Sequence, residues 1–375
     1  MTSVISNSLP TTRQRITSID ALRAVILLGI LLVHIIGMFG WGNIAPNATI
    51  VGQYSFEAIF YWLTNRCAVV FAILFGVSFY LILLNPTYTT KKFVWRCFLL
   101  ALIGLFNKIF YTFDALFWYG IWGMVLAAFR NLSVRKLWIS FFVIFVLNLG
   151  ITYFINIREL VFGTNINPNS RYVIGSSLGD VICYPVWKAV YDYVFVVLKA
   201  GPLYCLSLFL LGFCLGKSGI IEKLNKYATI KYFLLFAVLY LTLFYLDMRF
   251  HPPFFKRVAY LFGAFCYAEL FLLIYYRFYP HFRFFEPYGK LGLTNYSMQG
   301  IVGVVLTGLL FVPYHWPFEY VLITMLLFYA LQVVFSIVWL KYHKYGPFEW
   351  LWRCATERKW FANRKCKYMR DKYVI

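Results

Sequence analysis

Apolar residues run along this chain in stretches too long for strands and too continuous for the one-sided helices of a soluble core. A bilayer's hydrocarbon core, ~30 Å thick, is crossed by about 20 apolar residues of α-helix. Ten runs of that kind lie near 20–40, 56–84, 93–111, 114–129, 137–157, 203–219, 231–248, 257–277, 291–312 and 319–341. The pattern predicts an all-α fold, a polytopic transmembrane helix bundle. A further stretch, 181–200, is interrupted by Pro185, Lys188, Asp192 and Lys199. It reads as an amphipathic or re-entrant segment sharing an outer connection with the polar residues 158–180.

Composition supports that reading. Of 375 residues, 62% are hydrophobic and 13% charged, whereas a soluble domain is about 25% charged. This excludes a cytosolic globular enzyme, and the 22% aromatic content excludes a disordered chain. Lys and Arg number 35 against 14 Asp and Glu, a net charge of +21. On a soluble protein that excess would point to nucleic acid. Here the charges fall between apolar runs, so the partner is membrane lipid and not nucleic acid.

Basic residues also set orientation, because short basic loops stay on the cytoplasmic side. The tail from Lys341 onward holds ten of them, the amino end holds Arg13, Arg15 and Arg23, and the loop 41–55 holds none. Both termini are therefore expected to be cytoplasmic, which requires an even number of spans. Residues 1–341 then form a single transmembrane domain, and 342–375 a basic cytoplasmic tail lying on anionic lipid. No small-residue cleavage pattern follows His34, so the first run reads as a retained helix rather than a signal peptide.

Ionisable side chains inside such runs cost roughly 2.5–3.5 kcal/mol near the membrane centre and mark candidate functional sites. In the first span Asp20 and Arg23 are three apart and share a helix face. His34 follows Arg23 by eleven residues, three turns plus about 20° and about 16 Å of rise, so it looks the same way. Two readings stand for His34: a core imidazole bonded to a neighbouring carbonyl, or a base facing a passage that Arg23 also lines. Arg66 lies in the outer half of the second span. Lys91, Lys92 and Arg96 open the third, where they either anchor the helix or meet an anionic phosphate. Asp114, with Lys108 nearby, opens the fourth span, and Glu269 sits within the eighth beside an expected basic partner. Thr294, Asn295 and Gln299 make a polar patch in the ninth. Asn295 and Gln299 are four apart and either line a cavity or bridge helices. The cysteines within apolar runs read as packing groups, and no Cys/His spacing suits a metal.

Five blocks resemble, in order, the signatures of the YeiB-like bacterial membrane proteins, the domain of unknown function 418. They are SIDALRAVILLGILLVHI, FAILFGVSFYL, FDALFWYGIWGMVL, GKLGLTNYSMQG and YGPFEWLWR, spread from residue 18 to 353. That family looks related to the transmembrane acyltransferase superfamily, whose polysaccharide O-acyltransferases carry Arg, ten residues, then His in their first helix. Arg23 and His34 match that spacing, which implies a catalytic role for His34. Lys92 and Arg96 are the nearest equivalents of a basic pair credited there with engaging acyl-CoA. YeiB-like chains generally have Gly in place of Ala24 and often Asn in place of His34. Asp114, Asn295 and Arg353 match positions typical of the YeiB-like blocks.

The resemblance implies a membrane O-acyltransferase in a bacterial cytoplasmic membrane. Acyl-CoA is the expected donor, its phosphates met by Arg96, Lys92 and Arg23, with Asp20 pairing Arg23. A carbohydrate-type acceptor enters from the outer side near 158–200, Asp114 is counted with the substrate-binding residues, and Asn295 or Gln299 stabilises the oxyanion. A transporter or flippase for a small anion or lipid-linked group, or a non-catalytic membrane protein, is the alternative, since buried charges mark transport routes as well.

Overall fold

The computed structural model describes residues 16–38, 49–85, 88–110, 114–162, 201–250, 253–306 and 316–365. Within them the chain is helical, and the β-pairing is a single isolated bridge between His343 and Arg364. The helices are α1 (Thr17–Met38), α2 (Ile50–Ala58), α3 (Arg66–Leu83), α4 (Thr90–Phe110), α5 (Leu116–Leu126), α6 (Val134–Phe162) and α7 (Gly201–Lys217). Next come the one-turn α8 (Leu224–Tyr227), then α9 (Ile230–Phe250), α10 (Pro253–Arg277) and two short pieces, α11 (Tyr279–Phe282) and α12 (Phe285–Lys290). The chain closes with α13 (Gly292–Leu306), α14 (Phe318–Tyr342) and α15 (Pro347–Glu357).

Every one of the ten apolar runs coincides with a helix. By length and composition seven helices suffice to cross a bilayer, eight if α7 and the segment bent 64° from it count as one. The second run is not one straight helix. A five-residue π-helical stretch, Ile59–Leu63, and a left-handed Asn65 (φ 66°) separate α2 from α3. The fourth is shorter than expected, 11 residues of α5 plus a 3-10 turn. Helix α6 extends to Phe162, so the polar connection begins later than residue 158; the remainder of that connection and 181–200 lie outside the described residues.

Packed neighbours run both ways: α3 and α7 are parallel, with Phe75 on Phe209 and Phe79 on Phe213, whereas α6 and α7 are opposed. Lys217 Nζ donates to Leu132 O (2.6 Å) and Trp138 Nε1 to Ser218 Oγ (3.3 Å), while the Phe145 and Tyr204 rings meet further along. Helices α6 and α7 are thus antiparallel, and α7 begins at the end of the bundle where α6 stops. Cross-links at the other end join Tyr80 Oη to Glu222 (3.0 Å), Arg130 to Thr90 Oγ1 (2.8 Å) and Tyr276 Oη to Ser18 Oγ (3.0 Å). This end holds the start of α1, the α3–α4 turn, α12 and α15, together with Lys91, Lys92, Arg96, Lys290, Lys344 and Arg353. We call it the basic end.

Lipid tails are as apolar as leucine, so helices in a membrane associate through close packing and internal hydrogen bonds rather than the hydrophobic effect. Both are present. A Cβ on Gly76 would stand 2.0 Å from Phe209 O, and one on Gly212 1.9 Å from Ile73 O. The backbones of α3 and α7 therefore touch reciprocally, which only glycine permits. The polar counterpart is a seam through α1, α12, α13 and α14. Gln299 Nε2 donates to Leu27 O (3.3 Å) and Tyr288 Oη (3.0 Å), and Asn295 Nδ2 to Tyr288 O (3.1 Å) and Ser336 Oγ (3.0 Å). Gln332 Nε2 donates to Asn295 O (3.1 Å), and Tyr329 Oη to Ala24 O (2.9 Å).

Replacing Gly212 with Val forces α3 and α7 apart. Overpacking costs about 1–3 kcal/mol in ordinary cores, and clash with a backbone carbonyl places this site at the upper end. The variant is expected to lose a monodisperse peak in detergent and to melt lower, measured by tryptophan fluorescence against a Gly150→Ala control, where no atom lies within 4 Å of the added carbon.

Candidate functional site

A cavity of about 260 Å³ lies at the basic end, enclosed by α1, α3, α4, α5, α12, α13 and α15. Its α3 wall is one helix face, Phe71, Leu74, Phe75, Ser78, Phe79 and Ile82, the i, i+3, i+4, i+7, i+8, i+11 positions of a single stripe. From Phe71 to Ile82 is eleven residues, a depth of about 16 Å, roughly half the ~30 Å hydrocarbon layer. The rim carries Arg23, Arg96, Lys290, Glu349 and Trp352, and the inner end is apolar and aromatic: Phe71, Phe75, Leu116, Tyr119 and Tyr296.

The rim is built by the last helix. In α15, Glu349 accepts from the backbone N–H of Leu293 (2.7 Å) and Thr294 (3.0 Å) and from Thr294 Oγ1. It thereby satisfies amides that the first turn of α13 leaves without intrahelical acceptors. Phe348 N–H donates back to Thr294 Oγ1 (3.1 Å). Against α4, Trp352 Nε1 donates to Arg96 O (2.9 Å) and Trp95 Nε1 to Ala355 O (3.1 Å); Lys92 pairs with Glu357. The Arg96 guanidinium lies 3.7 Å from the centre of the Trp352 ring, a cation–π contact. Its Nε is buried without a hydrogen-bond acceptor, and no carboxylate pairs with Arg96 among the described residues.

Several expectations are met here and several need correction. Asp20 and Arg23 pair at 2.9 Å, and Arg23 also donates to Ser78 Oγ (2.7 Å) from the cavity wall. Arg96 lines the cavity, but Lys92 does not: its ammonium is held by Glu357 and lies 4.9 Å from the Tyr88 ring. His34 is absent from the wall. Its imidazole meets the edge of the Tyr296 ring, centroids 5.8 Å apart, so it stands one ring behind the cavity's inner end. Asn295 and Gln299 bridge helices in the seam, their amides donating to backbone carbonyls and to the Ser336 and Tyr288 hydroxyls, and neither lines this cavity.

Asp114 does not line the cavity either. It caps α5 through Leu116 N–H (2.8 Å) and accepts from Asn107 Nδ2 (3.3 Å), which also donates to Ser297 (3.1 Å). Glu269 accepts from Thr229 N–H (2.8 Å) rather than pairing with a cation. Arg66 is buried among Tyr260, Tyr240 and Phe244, 4.7–5.9 Å from their ring centres. The described part of the tail is folded: it contains α15, and the residues after it, to Lys365, turn back on the chain. Lys344 N–H donates to Asn363 O (2.8 Å), Lys365 N–H to Tyr342 O (2.9 Å), Lys365 Nζ to Leu340 O (2.6 Å) and Arg353 to Tyr345 Oη (2.6 Å).

Sequence reading missed Ser78, Lys290, Glu349, Trp352 and the inner rings. Their signal lay in the quoted blocks: fifteen of the twenty lining residues belong to those five segments, and the other five are Ile82 and four residues of α4. Segments far apart in sequence converge on one space.

Burial raises the Glu349 carboxyl above the usual carboxylate value near 4.5, and the four hydrogen bonds it accepts offset this only in part. A carboxyl with a raised folded-state value stabilises most below its unfolded value, and that stability is lost as pH rises through the folded value. Wild-type thermal stability should therefore decline as pH climbs above about 4.5, whereas Glu349→Gln should flatten that limb. Glu349→Ala leaves two amides unmatched, a cost of about 1–3 kcal/mol, and should increase protease cleavage near residue 346. Melting curves across pH and limited proteolysis check both outcomes.

Residues 215–359 match the family model described as Protein of unknown function (DUF418). The chain is similar to the uncharacterized 39.9 kDa protein in the amylase 3' region of Bacillus acidopullulyticus, 25% identical over 93% of this chain and 95% of that one. It is similar to the uncharacterized protein YxaH of Bacillus subtilis, 28% identical over 93% and 96%, and to uncharacterized YeiB of Escherichia coli, 33% identical over 26% of each. No solved structure matches. The matched segment supplies Gly289, Lys290, Gly292, Leu293, Tyr296, Glu349 and Trp352 to the cavity, and over that segment the chain is similar to the DUF418 proteins of unknown function.

Proposed function

We propose that this protein is an integral-membrane acyltransferase that takes an acyl group from acyl-CoA at the cytoplasmic side and passes it to a hydroxyl of a carbohydrate-type acceptor. The observation that carries this reading is the cavity itself, with cations at the rim and aromatic rings within. Such a shape suits a molecule with an anionic head and an apolar tail. The positive-inside rule puts the basic end in the cytoplasm, where acyl-CoA is available.

In this reading Arg96 and Lys290 meet the donor's phosphates by charge-assisted hydrogen bonds; neither has a carboxylate partner among the described residues. Arg23, held by Asp20 and Ser78, adds a third cation at the rim for that anionic head. The acyl group lies against Phe75, Tyr119 and Tyr296. His34 is the base: its imidazole packs on the edge of the Tyr296 ring, behind the cavity's inner end, and meets the acceptor from that side. There it takes the acceptor hydroxyl proton, the oxygen attacks the thioester carbonyl, the C–S bond breaks, and the departing thiolate recovers the proton from the imidazolium. Acceptor chemistry at the outer side fits the separation of His34 from the rim by about 16 Å of helix.

The test is thiol release and label transfer from radiolabelled acetyl-CoA by protein in lipid nanodiscs. Lys290→Ala, which removes no hydrogen bond among the described residues, is expected to raise KM about tenfold with little change in kcat. His34→Ala should abolish transfer while leaving acyl-CoA binding intact. Turnover retained by His34→Ala removes the imidazole from the reaction, and substrate uptake into vesicles with no CoA release replaces the enzyme by a transporter.

A further inference from the structure

The inner end of the cavity is closed by a fixed set of rings. Phe71 stacks on Tyr296 (6.1 Å, 12°) and leans on Tyr119 (5.7 Å), which meets Phe209 edge-on at 5.0 Å; Phe75 stacks on Phe209 at 4.4 Å. Both phenols in the set are tied to backbone: Tyr119 Oη donates to Ala68 O (3.3 Å), and Tyr296 Oη accepts from Ala115 N–H (3.2 Å). Behind Phe209 the α3–α7 contact is glycine-tight, so the floor has nowhere to retreat.

We propose that this ring floor measures the ligand's tail, so that the cavity selects anionic amphiphiles with short apolar tails and rejects the long-chain lipids of the surrounding membrane. Phe71 is the specificity-determining residue, because its ring touches both tyrosines and lines the cavity. The inference deepens the acyl-donor reading by naming short acyl groups, yet it rests on the cavity's shape and charge and stands with any anionic head. Burying one methylene strengthens binding about fourfold. Affinity therefore climbs with tail length until the tail reaches the floor, and then stops climbing or falls.

The experiment measures displacement of a fluorescent probe from nanodisc-held protein by butyl, hexyl, octyl, dodecyl and hexadecyl phosphate. In the wild type we expect a rise of about fourfold per methylene through the shorter members and a plateau or fall before dodecyl. Phe71→Leu is expected to move the plateau to longer tails and Phe71→Trp to shorter ones, and either folded variant suffices. A rise that continues through hexadecyl phosphate in the wild type overturns the proposal. So does a plateau at one length in the wild type and both folded variants, or no binding by any member of the series. If the plateau is present but no acyl-CoA is bound or turned over, the ring floor stands and the acyl-donor reading falls.

Discussion

A single carboxylate holds the basic end of this bundle together. The first turn of α13 starts inside the protein, beneath α15, where its free amides have no water to bond, and an unmatched amide in such surroundings is costly. Glu349 meets two of them and the Thr294 hydroxyl at once. Because Glu349 sits on α15, solving the capping problem of one helix also fixes the position of another. Trp352 and Glu357, at i+3 and i+8 along α15, then grip α4 through the Arg96 carbonyl and Lys92. The cavity is the space left beneath that strap.

Charges at this end divide into two kinds. Lys92 and Asp20 are consumed in pairs that shape the protein. Arg96 and Lys290 face the cavity without carboxylate partners among the described residues, and Arg96 keeps a buried donor in reserve. An uncompensated cation within a membrane protein marks a candidate functional position. Ring stacking on Trp352 holds the Arg96 guanidinium in place while leaving its donors directed by the cavity rather than by a carboxylate. The inner rings complete the contrast, since nothing there competes for charge.

Much of the fold was legible in the sequence because a bilayer imposes one dominant rule: about 20 apolar residues per crossing. All ten runs became helices for that reason. The breaks were less legible. Nothing in the hydropathy of 56–84 signals the π-helical stretch at Ile59–Leu63, since tyrosine, tryptophan and phenylalanine score as apolar whether or not the helix is regular. The shared face of Arg23 and His34 followed from 100° per residue. That phase alone could not say that α13 would place Tyr296 between His34 and the cavity.

What the sequence determined by itself is the solvent this protein lives in, the helices that solvent demands, and the concentration of basic residues toward one end. These depend on composition and spacing along one segment at a time. Which polar residues serve structure and which face open space was decided only by tertiary packing. Asn295, Gln299 and Lys92 look as functional in sequence as Arg96 does, and Glu349 and Trp352 look unremarkable. Their roles separate only when α13 meets α14, α15 meets α4, and Phe71 meets Tyr296 across 225 residues of chain, because a hydrogen bond's meaning depends on the partner that folding delivers to it.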